Sequence, residues 1–210
     1  MAKIALALLA GGQARRMGGM DKGEIRIDGQ SIISSLLQRF SDKCDYLLMN
    51  ANGDLARFAH YEIDIIQDKL EGYQGPLAGI YSCLDYVRHT QPLIDYVVTL
   101  PIDAPFVPAG LIDDLLAAKD KAPLISVQSH GRTHPVIGLW PVHMVEDLHK
   151  ALLIEGLRKI EAVTEPLGCH HLTYDDVPDP FVNLNRLADL QALQQEGRGE
   201  IDLAFLKESE

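Results

Sequence analysis

Residues 4–10 form an unbroken apolar run, IALALLA, which stops on Gly11-Gly12. A run with no polar alternation suits a strand covered on both faces, as in a parallel sheet flanked by helices. The segments that follow fit that frame. Tyr46–Asn50, Tyr61–Asp68, Ile94–Asp103 and Pro123–Gln128 each contain a short apolar run, and stretches of helical length separate them. Ser31 is the expected N-cap of a helix to about Phe40, whose buried stripe is Ile32, Leu36, Leu37 and Phe40. A second helix should open at Gly75-Pro76, with proline at its first position. A third is expected over Pro108–Lys119. Strands alternating with helices predict βαβ units. The fold class is therefore α/β: a single three-layer domain with a mostly parallel, Rossmann-like sheet and helices on both faces.

The second half is less regular. Thr133–Pro141 and His170–Tyr174 read as strands, Met144–Leu153 and Gly156–Val163 as helices, and Phe181–Glu196 as extended then helical. No repeat or low-complexity linker divides the 210 residues. One domain is expected over residues 1–196, followed by an acidic tail over 197–210 that frays.

Charge and cysteine usage narrow the function classes. The formal net charge of -11 argues against a broad nucleic-acid surface, which needs a basic footprint. Cys44, Cys83 and Cys169 lie far apart without metal-ligand spacing, and their odd number fits a reduced compartment. No apolar stretch is long enough to span a membrane. The opening apolar run lacks the cleavage site of a signal peptide. A soluble cytoplasmic protein is the expectation.

The segment after the first apolar run is the chemical outlier. Gly11 to Lys22, GGQARRMGGMDK, places Arg15, Arg16 and Lys22 among four glycines in an acidic chain. Glycines let a backbone turn sharply and present N–H groups to phosphate oxygens. Arginine and lysine add charge-assisted donors. A polyphosphate is the natural guest, and a solvated mobile loop is the bland alternative. The spacing is neither a Walker A loop, since Gly19 is followed by Met20-Asp21-Lys22, nor the G-x-G-x-x-G dinucleotide fingerprint.

Polar residues end the apolar strands. Asp103 follows VVTLPI, where a carboxylate can hold Mg²⁺ together with substrate phosphates or cap a turn before Pro105. Asp68 and Asn50 end two other strands and are open to ligand-reading and turn-forming roles. In a parallel sheet all three lie on the loop side, where α/β folds bind ligands.

The segments LLAGGQARRMGGMDKG, QGPLAGI, TLPIDAPFVP and THPVIGLW, with FVNLN near the end, resemble the molybdenum cofactor guanylyltransferase (MobA-type) family of nucleotidyltransferases. The first segment carries the nucleotidyltransferase class; RRMGGMDK with THPVIGLW and FVNLN carries the guanylyltransferase branch. The resemblance implies a nucleotide-diphospho-sugar transferase-like fold. It implies transfer of GMP from GTP to the terminal phosphate of molybdopterin or Mo-molybdopterin, with release of pyrophosphate. Leu9, Ala10, Gly11 and Gly12 would approach the nucleotide, and Lys22 its phosphates. Asn50 and Asp68 would read the guanosine, with Gly75, Pro76 and Gly79 near base and ribose. Asp103 would bind both nucleotide and Mg²⁺. The HPVIGLW and FVNLN segments would form the pterin side, with His134 and Asn183 as candidate contacts. Other cofactor-assembly proteins and recipient molybdoenzymes are the implied protein partners.

The attacking phosphate monoester has a second pKa of about 6. It is mostly dianionic at neutral pH and needs no general base. Arg16, Lys22 and Asp103 are the expected catalytic residues, and Mg²⁺ the expected cofactor. Trp140 is expected to pack on the sheet, with pterin stacking as the alternative. Neighbouring His170 and His171 on a strand face opposite ways and make a poor metal pair. A nucleotidyltransferase using CTP or a sugar phosphate and a non-catalytic GTP-binding adaptor are the competing readings.

Overall fold

In a computed structural model the described residues are 2–11, 22–70 and 75–201, apart from the side chain of Leu187. Arg15, Arg16, Gly12 and the rest of the central glycine loop lie outside them.

The first apolar run forms β1 (Ile4–Leu9), buried at every position. Its residues divide between two cores. Ile4, Leu6 and Leu8 join one hydrophobic cluster, and Ala5, Ala7 and Leu9 the other. Period-2 alternation of a strand covered on both faces produces this split. A short hairpin follows: β2 (Arg26–Ile27) and β3 (Gln30–Ser31). Its turn residues, Asp28 and Gly29, both have positive φ, 52° and 78°. This Asp-Gly pair is a strong two-residue hairpin signal that the α/β frame obscures.

α1 (Ile32–Phe40) starts where expected, with the Ser31 hydroxyl accepting from the Ser34 N–H at 3.2 Å. Ile32, Ile33, Leu36 and Phe40 are buried, and Leu37 is only partly so. β4 (Tyr46–Asn50) pairs in parallel with β1. A 3-10 helix at Leu55–Tyr61, capped by the Asp54 carboxylate, shortens the next strand to β5 (Asp64–Ile66). The Tyr61–Asp68 segment thus carries its expected strand in its second half, after Glu62 ends the 3-10 helix in the left-handed region at φ 54°.

α2 (Pro76–Thr90) leads to β6 (Tyr96–Pro101), which pairs in parallel with the other edge of β1. α3 (Leu111–Ala117) is shorter than expected. β7 (Leu124–Ser129) then turns through His130-Gly131, again both at positive φ, into β8 (Arg132–Pro141). α4 (Val145–His149) runs into a π-helical stretch at Lys150–Ile154. Gly156 has φ 69° and delays α5 to Ile160–Leu167, four residues later than the helix expected at Gly156. β9 (Cys169–Tyr174) and α6 (Leu187–Gln195) complete the elements. Phe181–Asn185, expected as extended strand, is irregular.

The sheet order is β5-β4-β1-β6-β8-β7-β9. Only β8 is antiparallel to its neighbours, β6 and β7. The expected mostly parallel sheet is therefore present. Buried residues of α1, α3 and α6 join the first cluster, and those of α2, α4 and α5 the second. Helices cover both faces. Trp140 is fully buried and donates from Nε1 to Thr99 Oγ1 at 2.9 Å. Among the described residues no helix is long and apolar enough to cross a membrane.

Gly199 to Ile201, within the segment expected to fray, instead pack on the hairpin. Asp28 N donates to Glu200 O and Glu200 N to Asp28 Oδ1, at 2.8 and 2.7 Å. Ile201 bridges Ile27 and is 4% exposed. An apolar residue with a backbone partner outweighs the acidic character of its neighbours. Residues 202–210 lie outside the described residues.

β8 is central, and its Gly138 touches backbone: a Cβ there would lie 2.8 Å from the Ile125 carbonyl oxygen. Because backbone yields little, Gly138→Ala is expected to destabilise the fold by about 1–3 kcal/mol. A lowered urea midpoint at unchanged m-value is the expected readout.

Candidate active site

β1 lies between β4 and β6, with the chain crossing to opposite sides of it. Such a switch point opens a crevice beyond the carboxyl ends of the strands. Leu9 is level with Asn50 on one side and Pro101 on the other. Ala10 N donates to Asn50 O at 2.8 Å, and Ile102 N to Leu9 O at 3.2 Å. The strand register thus brings Leu9, Ala10, Asn50 and the start of the Asp103 loop to one edge.

Two groups of residues stand on that edge. The first is a small concavity lined by Leu9, Gly11, Asn50, Asp68, Gly75, Pro76 and Gly79. Asn50 Nδ2 donates to Asp68 Oδ1 at 3.0 Å, so the ends of β4 and β5 are joined by side chains. α2 comes so close that a Cβ at Gly79 would lie 2.6 Å from Asn50 Oδ1, and one at Gly11 3.5 Å from the same atom. Glycine at position 79 is what admits the helix. Gly75, at φ 78°, turns the chain into α2. No side chain caps α2, so the positive end of its dipole adjoins the concavity.

The second group centres on Lys22. Its Nζ donates to Asp103 Oδ2 at 3.2 Å and to Asn185 Oδ1 at 2.6 Å. The lysine and aspartate side chains are 21% and 20% exposed. Leu184 N donates to the Asp103 carbonyl at 2.8 Å, which ties the FVNLN segment to the end of β6. Arg39, from α1, donates to the carbonyls of Pro105 and Val107 at 3.0 and 2.7 Å and fixes the loop that carries Asp103. A cation, a carboxylate and an amide from widely separated parts of the chain therefore meet at one point.

Several expected residues sit elsewhere or act differently. Asn185, not Asn183, reaches the Lys22 cluster, from a stretch of irregular backbone. His134 is 7% exposed, and its Nε2 is engaged with Ser129 Oγ at 2.7 Å. Its ring packs on Phe181 with centroids 5.1 Å apart. His134 is therefore a core residue, not an open donor for an acceptor substrate. Trp140 pairs with Val97, near the start of β6 and away from the Asp103 end, so pterin stacking is excluded. Arg16 and Gly12 lie outside the described residues. Arg39 and Asn185 escape sequence reasoning, because each works through contacts more than sixty residues away. Among the described residues no group of three or more His, Cys, Asp or Glu gathers to hold a metal.

A family model for the MobA-like NTP transferase domain matches residues 6–170. The chain belongs to this family. A molybdenum cofactor guanylyltransferase from Bradyrhizobium sp. (strain ORS 278) is 43% identical over 186 residues, 87% of this chain and 88% of that protein. One from Rhodopseudomonas palustris (strain HaA2) is 39% identical over 87% of both chains. Among solved structures, molybdopterin-guanine dinucleotide biosynthesis protein A from Archaeoglobus fulgidus superposes with a TM-score of 0.73 at 24% identity. It covers 92% of this chain and 98% of its own. The 4-diphosphocytidyl-2C-methyl-D-erythritol synthase of Anaerococcus prevotii shares the fold at TM-score 0.70 and 11% identity. The MobA-like match begins within β1 and ends within β9, so it spans both residue groups except the FVNLN segment.

Burial holds the His134 pKa below the ordinary 6.5, with Arg132 acting in the same direction and Asp179 opposing. The unfolded chain then binds a proton that the folded chain resists. This contribution is fully present above pH 6.5 and is lost as pH falls from there toward the folded value. His134→Asn is expected to flatten that part of the stability profile, measured by urea unfolding between pH 5 and 7.5.

Proposed function

We propose that this chain transfers GMP from GTP to the terminal phosphate of molybdopterin, or of Mo-molybdopterin, and releases pyrophosphate. The observation that carries the reading is the juxtaposition of an acceptor-lined concavity, built by Asn50 and Asp68, with the Lys22–Asp103 pair. The relatives named molybdenum cofactor guanylyltransferase support the choice of substrates.

Guanine carries adjacent N1–H and N2–H₂ donors. Asn50 Oδ1 faces the gap between Gly11 and Gly79, beside the Asp68 carboxylate. Acceptors there suit a donor edge. Leu9, Ala10 and Gly11 line the path from this nucleoside site toward the phosphates, and Gly12 and Arg16 would continue it. Lys22 now neutralises Asp103. A bound triphosphate would offer Lys22 a more highly charged partner and free the Asp103 oxygens.

Asp103 is also the residue that would hold Mg²⁺. One carboxylate completed by substrate phosphates and water is an ordinary magnesium environment, and Asp103, partly exposed at the rim, fits it. The ion supplies charge neutralisation and orientation of the phosphates. The acceptor phosphate, already mostly dianionic at neutral pH, requires no base from the protein. What the chain contributes is positioning and positive charge: Lys22, with Arg16, stabilises the transferring group and the departing pyrophosphate. Asn185 holds Lys22 from the FVNLN side, on which the acceptor is placed. We place the reaction in the cytoplasm, with assembly proteins and recipient molybdoenzymes as downstream partners.

Lys22→Ala and Asp103→Ala are each expected to lower turnover on the order of 10² to 10³-fold with unchanged circular dichroism. Pyrophosphate release from GTP and molybdopterin is the assay, and near-normal turnover would remove that residue from the mechanism. Calorimetry with GTP, CTP, ATP and UTP tests base choice: a preference for CTP would replace the guanylyl reading with a cytidylyl one.

A further inference from the structure

Asn52 plays no part in the reading above, yet it makes two bonds to Asp68. Asp68 N donates to Asn52 Oδ1 at 3.0 Å, and Asn52 Nδ2 donates to Asp68 Oδ2 at 2.7 Å. A backbone N–H can only donate, so the first bond fixes which end of the Asn52 amide is oxygen. The nitrogen must then face the carboxylate. Asn52 is itself held through its carbonyl, which accepts from Arg57 Nη2 at 3.1 Å. On the next residue, Lys69 N donates to Ser82 Oγ of α2 at 2.8 Å, so the chain is anchored on both sides of Asp68.

The consequence is directional. Asp68 Oδ2 is taken by Asn52, and Oδ1 is the oxygen that lies toward Gly79, 3.6 Å from a Cβ built there. Asn50 Nδ2 spends its hydrogens on Asp68 Oδ1 and the Ile66 carbonyl, at 3.0 and 3.4 Å. The amide bonds from Asn50 and Asn52 thus end on Asp68 or on a backbone carbonyl. Asn50 Oδ1 and a lone pair of Asp68 Oδ1, both acceptors, are left facing the concavity. Without Asn52 the carboxylate could rotate about its terminal torsion, which is broad for aspartate.

We propose that Asn52 is a positioning residue for nucleoside selection: it locks the Asp68 carboxylate so that Asp68 Oδ1 and Asn50 Oδ1 stand side by side as acceptors in the cleft and select a nucleoside edge rich in donors. The proposal rests on the reading that this concavity takes the nucleoside of GTP. Asn52→Asp separates positioning from packing. It keeps the shape and the acceptor for Asp68 N–H, but sets an oxygen against Asp68 Oδ2.

The experiment is calorimetric binding of GTP and ATP to the full chain, to Asn52→Asp, to Asp68→Ala and to the double variant, with melting temperatures for each. Asn52→Asp is expected to weaken GTP roughly tenfold or more and to reduce the GTP-over-ATP ratio. The double variant should bind no worse than Asp68→Ala alone, since a residue acting through Asp68 has nothing left to act on. If Asp68→Ala weakens GTP while Asn52→Asp does not, or if the two losses add, the positioning role is overturned and the nucleoside reading stands. If Asp68→Ala leaves GTP binding intact, the nucleoside reading of Asp68 fails and the proposal with it. Should Asn52→Asp not fold, Asn52→Ser, which removes the amide donor without adding charge, takes its place in the cycle.

Discussion

Parallel pairing of β1 with β4 on one edge and β6 on the other is the constraint from which the site follows. A strand bonded on both edges and covered on both faces must be apolar throughout, and β1 is buried at every residue. Its two faces differ in size. Ala5 and Ala7 lie toward the cluster that contains α2, and Leu6 and Leu8 toward the cluster that contains α1. The small face lets α2 lie close over the sheet, and Gly79 extends that approach to Asn50. Once the register is set, Leu9, Asn50 and Pro101 are level, and the segments carrying Asp68, Asp103 and Lys22 converge beyond them.

The converged residues divide the chemical labour. The concavity beside α2 is built from acceptors and glycines, suited to a neutral, donor-rich group. The cluster at the end of β6 is built around a cation and a carboxylate, suited to phosphates. On the proposed reading, a chain of net charge -11 meets anionic substrates where its sequence gathers Arg15, Arg16 and Lys22 in one segment, and Lys22 is held by Asp103 and Asn185. The same logic assigns Arg39 an indirect role, since its bonds to Pro105 and Val107 hold the loop in which Asp103 stands.

Legibility followed the range of the interaction. β4 and α1 sit where the pattern put them, because burial periodicity and a serine cap act over a few residues. The shift of α5 has a local cause, the left-handed Gly156, but glycine alone does not announce its φ. The hairpin turn at Asp28-Gly29 was readable and was overshadowed by the stronger α/β rhythm. Among candidate site residues, those at strand ends could be proposed one by one. The FVNLN segment pointed to the right neighbourhood, but its irregular backbone, which no local pattern announces, brings Asn185 rather than Asn183 to Lys22. His134 was a candidate through the HPVIGLW resemblance; its ring packs on Phe181, forty-seven positions later, a contact that the local sequence does not reveal.

A mostly parallel sheet with helices on both faces is written into the hydrophobic pattern of the chain. Apolar runs without alternation admit few other arrangements, and they place polar residues at one edge. The sequence also carried the family resemblance through the glycine-rich, basic segment after β1 and the motifs downstream. Which of those polar residues touch is settled by folding in three dimensions. Lys22 meets Asp103 across 81 positions and Asn185 across 163, and Asp68 is gripped by Asn50, the last residue of β4, and by Asn52 just beyond it. Such contacts depend on strand order, register and the closeness of one helix. These are set by packing across the whole molecule, and no local spacing encodes them.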